Sequence, residues 1–72
     1  MVIVYSKADC SGCKLTKLAL DNKKIEYKEE RIDLNPEALA KVKELGYLAA
    51  PVVVAPDGTH WSGFRPDKID TL

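Results

Sequence analysis

Seventy-two residues suffice for one small domain, and a chain of this length buries only about 60% of the surface its unfolded form exposes. Hydrophobic residues at 46% and charged residues at 31% are ordinary for a globular protein and lie outside the disordered range. Eleven Lys plus Arg balance eleven Asp plus Glu, so no basic footprint points to nucleic acid. No apolar run approaches the ~20 residues of a membrane span, and neither glycine-rich nucleotide fingerprint occurs.

Val2-Ile3-Val4-Tyr5 is a continuous apolar run rich in β-branched residues, the pattern of a strand buried on both faces. It lacks the charged leader and cleavage site of a signal peptide, so the expected location is the cytoplasm. Beyond Cys10-Ser11-Gly12-Cys13 the pattern turns helical. Lys14, Lys17, Asp21 and Lys24 recur on one side, and Leu15, Leu18 and Ala19 occupy the other, which is expected to face the core. Lys23 and Lys24 stand where cations favour a helix C-terminus. Ile25 to Arg31 alternates and then carries charge, predicting a half-exposed edge strand.

Asn35-Pro36-Glu37 opens a second helix with a capping Asn, a proline at the first position and an acid in the first turn. Its apolar stripe, Leu39, Val42 and Leu45, ends at Gly46, a C-cap residue. Pro51 to Ala55 reads as a second buried strand. Pro56-Asp57-Gly58 turns the chain into a short strand, Thr59-His60-Trp61, and Pro66 opens a last helix through Ile69 to Leu72. The predicted order is β-α-β-α-β-β-α in one α/β domain spanning residues 1–72. The first three elements form a parallel, right-handed crossover, and the later strands form an antiparallel hairpin.

The only cysteines, Cys10 and Cys13, close too small a ring to act as a staple, since the chain-entropy gain for four residues is only about 2 kcal/mol. Structural zinc usually needs four ligands, and two cysteines with the single His60 do not supply them within one chain. Redox chemistry is the leading account. The motif lies where a strand ends and a helix begins, and there free amides and the helix dipole favour thiolate over thiol. Such a site lowers a cysteine pKa from about 8.5 to roughly 3.5–7.5. Cys10, at the exposed edge, is expected to attack a substrate disulfide. Cys13, one turn further in and more shielded, resolves the mixed disulfide. Lys7 and Lys14 add positive potential near the sulfurs or stand as solvated surface charges, and Asp9 acts in the opposite sense. Gly12, without a side chain, leaves amides accessible.

Two later segments need a positional reason. Pro51 stands at the mouth of a central strand, where it cannot donate to the ladder. A cis Ala50–Pro51 bond would leave the Ala50 backbone free to pair with an extended substrate beside Cys10. The base rate of about 5–6% cis favours an ordinary trans proline. Trp61-Ser62-Gly63-Phe64-Arg65-Pro66-Asp67 holds the only Trp and the only Phe. Trp61 reads either as a core plug or as part of an exposed docking rim with Phe64, where Arg65 offers a hydrogen-bonding fork. His60 reads as a surface residue of the hairpin. The expected partner surface comprises Lys7, Ser11, Gly12, Ala50, Pro51, Trp61, Ser62, Gly63, Phe64 and Arg65.

With Cys10-Ser11-Gly12-Cys13 after the first strand, Ala50-Pro51-Val52 before the third and Trp61 to Asp67 after the fourth, the chain resembles an NrdH-redoxin. These are glutaredoxin-like proteins with thioredoxin-like activity. The likeness spans essentially the whole length, and W-S-G-F-R-P-D is its most specific part. It implies a thioredoxin (glutaredoxin-like) fold, a four-stranded mixed sheet flanked by three helices, with Pro51 in cis. It implies redox cysteines at Cys10 and Cys13 and a surface near them shaped by Trp61 to Asp67. The expected cofactor state is a reversible Cys10–Cys13 disulfide with no bound group and no metal, in a monomer. The implied electron source is an NADPH-dependent thioredoxin reductase rather than glutathione. The implied acceptor is the large subunit of class Ib ribonucleotide reductase.

The chain departs from the family's common Val or Met followed by Gln between the cysteines, which bears on potential and partner preference. Glutathione-using glutaredoxins carry a Gly-Gly pair and an acid after the fourth strand. Ser62-Gly63-Phe64 stands there instead and weakens a glutathione site. A glutathione-dependent glutaredoxin stays open as an alternative. So does a reading of another class, a redox-inert binding module or a zinc-bridged dimer.

Overall fold

The N-terminal apolar run forms β1 (Val2–Ser6), flanked on both sides within the sheet. In the computed structural model, which describes residues 1–72, it is followed by α1 (Ser11–Asn22), β2 (Tyr27–Arg31), α2 (Pro36–Glu44), β3 (Val52–Val54), β4 (His60–Ser62) and α3 (Pro66–Ile69). The strand order is β2-β1-β3-β4, with β1 parallel to β2, β1 antiparallel to β3 and β3 antiparallel to β4. This is the four-stranded mixed sheet with three helices of the thioredoxin fold. The charged β2 takes one edge, as its alternation predicts.

Strand alternation divides the core between the two sheet faces. Val2, Val4, Val53 and Trp61 pack with Leu20 of α1 and Ile69 of α3. Tyr5 and Val52 pack on the opposite face with Ala38 and Val42 of α2. Asn35 caps α2 through its side chain, which accepts the Glu37 N–H at 3.0 Å, and Pro36 takes the first helical position. Leu39 and Leu45 are only half-buried, so the apolar stripe of α2 meets the sheet mainly through Ala38 and Val42.

The apolar face read for α1 is corrected by the structure. Its buried residues are Cys13, Thr16 and Leu20, whereas Leu15 is 47% and Leu18 55% exposed. Thr16 occupies a core position because its hydroxyl donates to the Gly12 carbonyl at 2.8 Å. An internally satisfied hydroxyl can be buried cheaply, but it carries no hydrophobic signal in the sequence.

Both long helices end the same way. Beyond α2, Gly46 donates to Lys43 and Tyr47 to Val42. Beyond α1, Lys24 donates to Asp21 and Ile25 to Leu20, which is the paired bonding of a Schellman end. Gly46 takes the required left-handed backbone freely at φ +93°, whereas Lys24 adopts it at φ +57° with a side chain present. Lys23 therefore caps α1, and its ammonium reaches the Ile69 carbonyl at 3.2 Å, tying α1 to α3.

Candidate active site

β1 ends at Ser6, and three residues, Lys7 to Asp9, carry the chain to Cys10. Asp9 turns it through a left-handed backbone at φ +54°, which Asp tolerates better than most side chains. Cys10 is the N-cap of α1. Its backbone is extended, and its Sγ accepts the Cys13 N–H at 3.2 Å. A first-turn amide, with no intrahelical acceptor of its own, thus points at the sulfur. A thiolate gains from that donor and from a dipole equivalent to roughly half a positive charge. Cys10 and Cys13 are joined in a disulfide with Cα atoms 5.2 Å apart.

The expected exposed position of Cys10 needs correction, because Cys10 is 8% and Cys13 1% exposed in the disulfide form. Cys10 turns its sulfur inward over the first turn, while Asp9 and Ser11 on either side are exposed. Both cysteines are buried, and Cys10 is the less buried of the two.

Three segments meet around the start of α1. The Ala50–Pro51 bond is cis, and Pro51 is buried. A Cβ added at Gly12 would lie 3.2 Å from Pro51 Cδ, so the glycine is what lets the motif turn sit against the proline. Pro51 in turn accepts the Gly63 N–H at 2.8 Å, bringing the segment after β4 alongside. Ala50 is half-buried, and its backbone N–H and carbonyl make no hydrogen bond within the chain.

The other expected partner residues divide. Lys7 and Ser11 are exposed, Lys7 and Lys14 are in no ion pair, Ser62 and Gly63 are half-buried, and Phe64 is 36% exposed. Arg65 is exposed, but its Nε and Nη2 are held by Asp67 at 3.1 and 2.9 Å, so much of the fork is already engaged. Trp61 is not part of a rim. It is 5% exposed inside the Val4–Leu20–Ile69 cluster, because alternation along β4 turns residue 61 inward and His60 outward.

Some contacts near the site have no motif to announce them. His60 is exposed as expected, yet its Nδ1 lies 2.7 Å from the Tyr47 hydroxyl, which joins the loop before Pro51 to β4. Ser6, buried at the end of β1, donates its hydroxyl to Glu29, which also accepts from Lys17 at 2.8 Å. Hydrogen bonds from Lys17 and then from Ser6 hold the Glu29 carboxyl below its ordinary range. No group of three or more His, Cys, Asp or Glu side chains is placed to hold a metal ion. No helix is long and apolar enough to cross a membrane.

A disulfide-forming Cys-x-x-Cys pair at a helix N-terminus, packed against Pro51 on this sheet, defines a thiol–disulfide oxidoreductase of the thioredoxin fold. The Glutaredoxin family model matches residues 2–61. The chain is 44% identical over 72 residues to the glutaredoxin-like protein NrdH of Lactococcus lactis subsp. cremoris (strain MG1363), spanning 100% of this chain and 99% of that one. It is 38% identical over 71 residues to NrdH of Escherichia coli (strain K12), spanning 99% of this chain and 86% of that one. The solved structure of the E. coli NrdH-redoxin, described as a glutaredoxin-like protein with a thioredoxin-like activity profile, superposes with a TM-score of 0.92 at 38% identity. That match covers 99% of this chain and 92% of the E. coli chain. The chain belongs to the glutaredoxin family, among its NrdH members.

Proposed function

We propose that the protein is a cytoplasmic, monomeric electron carrier that reduces the large subunit of class Ib ribonucleotide reductase and is itself re-reduced by an NADPH-dependent thioredoxin reductase. The observation that carries this reading is the Cys10–Cys13 disulfide at the α1 N-cap, in a chain similar along its whole length to NrdH proteins. The thioredoxin-like activity profile named for the E. coli relative supports a reductase rather than glutathione as electron source.

In the reduced protein the Cys10 thiolate attacks one sulfur of the acceptor disulfide. A Cys10–acceptor mixed disulfide forms, and the other acceptor sulfur leaves as thiolate. Cys13 loses its proton and attacks Cys10 Sγ, releasing the second acceptor thiolate and closing the Cys10–Cys13 disulfide. Two electrons have then passed from the dithiol to the acceptor, and the reductase returns them by the same exchange in reverse. In this reading the Ala50 backbone, unbonded within the chain, pairs with an extended acceptor segment, and Lys7, Ser11, Gly12, Pro51, Ser62, Gly63, Phe64 and Arg65 make up the rest of the partner surface.

A coupled assay tests this reading. Reduction of a protein disulfide is expected to consume NADPH when thioredoxin reductase is supplied, and to proceed poorly with glutathione and glutathione reductase. Turnover confined to the glutathione system would overturn the choice of electron source.

A further inference from the structure

Backbone pairing between β1 and β2 stops one residue beyond the strands, where Ile32 donates to the Ser6 carbonyl at 2.8 Å. The next rung is made by a side chain. The Ala8 N–H donates to Asp33 Oδ2 at 3.2 Å. No backbone–backbone hydrogen bond outside the helices and strands engages Lys7, Ala8 or Asp9, so this carboxylate is the anchor of the connection that delivers Cys10. The anchor is itself oriented. Arg31 donates Nε to Asp33 Oδ1 at 2.7 Å and Nη2 to Oδ2, a two-point grip that fixes the plane of the carboxylate. One residue past Ala8, Asp9 holds a left-handed backbone that surrounding structure must impose, and the residue after it is the N-cap.

We propose that Asp33, oriented by Arg31, is a positioning residue for thiol–disulfide exchange: it hangs the Lys7–Asp9 connection from the end of β2 and so holds Cys10 Sγ on the Cys13 amide. Without the anchor, rotation at Ala8 and Asp9 lets the sulfur leave that donor, and the thiolate loses its stabilisation. Arg31 acts through the orientation it gives that carboxylate. The Arg31 hydrogen bonds hold the Asp33 carboxyl down to about 2, so the anchor stays ionised across the working range. This role belongs to the exchange reaction itself and does not depend on which partner brings the electrons.

Three variants of the full chain, reduced and alkylated with iodoacetamide across a pH series, test it. Asp33→Ala and Asp33→Asn both remove the charge, but only Asn keeps an oxygen that can accept from Ala8. Relative to Asp33→Asn, Asp33→Ala is expected to show a higher pH midpoint for Cys10 alkylation. It is also expected to reduce an aromatic disulfide roughly 2- to 10-fold more slowly, the worth of one hydrogen bond. Arg31→Gln removes the two-point grip and frees the carboxylate to swing off Ala8, which raises the midpoint. Asp57→Ala serves as control, because it removes a comparable carboxylate-to-amide bond, to Thr59, at a turn remote in sequence from both cysteines. Equal midpoints and rates for the two Asp33 variants would overturn the proposal. So would an unmoved midpoint in Arg31→Gln, which still decides the matter if Asp33→Ala does not fold.

Discussion

Cys10→Ser is expected to abolish disulfide reduction, by roughly a thousandfold or more, while leaving the fold in place. The fold survives because serine is a good N-cap, and its oxygen can take over the Cys13 amide that the sulfur accepts at 3.2 Å. The loss is therefore one of chemistry. Cys13→Ser is expected to do something different: the first exchange still occurs, and the mixed disulfide with the acceptor accumulates. Resolution by Cys13 is intramolecular, between Cα atoms 5.2 Å apart, and well-placed intramolecular groups act at effective concentrations of about 10⁵ M or more. A solution thiol cannot match that, so the trapped adduct should be visible on a non-reducing gel or by intact mass. Trapping by Cys10→Ser, with turnover retained in Cys13→Ser, would reverse the two roles.

The second large effect concerns which face of α1 holds the fold. Leu20→Ala is expected to destabilise by about 2–5 kcal/mol, because Leu20 is fully buried between Val2, Val4, Val53, Trp61 and Ile69. At ~0.05–0.15 kcal/mol per residue, a chain of 72 residues has roughly 4–11 kcal/mol in all, so this one substitution removes a large share of it. A melting point about 10 °C or more lower follows at this size. Leu18→Ala, two residues earlier and 55% exposed, is expected to stay within about 0.5 kcal/mol. Urea unfolding of both variants decides it, and comparable losses would mean that α1 packs through the face its leucines suggest.

That pair of substitutions also marks where the sequence is readable and where it is not. The β-branched run before the cysteines, the Asn35-Pro36-Glu37 helix start and the Pro56-Asp57-Gly58 turn are local signals, and each element forms where its signal stands. The order of elements was therefore legible, together with the placement of the cysteine pair at a helix N-terminus. The inward face of α1 was not. Thr16 is buried by bonding its own helix backbone, and two leucines are left outside, which reverses the hydrophobic reading. Trp61 had two readings, and only its pairing with Val53 in the sheet decides for the core.

The parts of the site that join distant segments were the least legible. Asp33 meets Ala8 across 25 positions, and Tyr47 meets His60 across 13, with no motif at either end. The cis Ala50–Pro51 bond is a minority state: the position of Pro51 at a strand mouth raises it, local sequence favours trans, and only the family resemblance implies cis. Access to Cys10 was overestimated for a simple reason. Position at the start of a helix says that a sulfur is near the surface, but not that it turns back over the first turn to meet an amide.

The rate of iodoacetamide alkylation of the reduced protein, followed residue by residue against pH, bears most directly on whether one sulfur is both ionised and reachable. Cys10 should react with a midpoint well below the ordinary cysteine value of about 8.5, and Cys13 should remain nearly unmodified under the same conditions. A Cys10 that resists alkylation, or that reacts only at or above that ordinary value, would contradict the account.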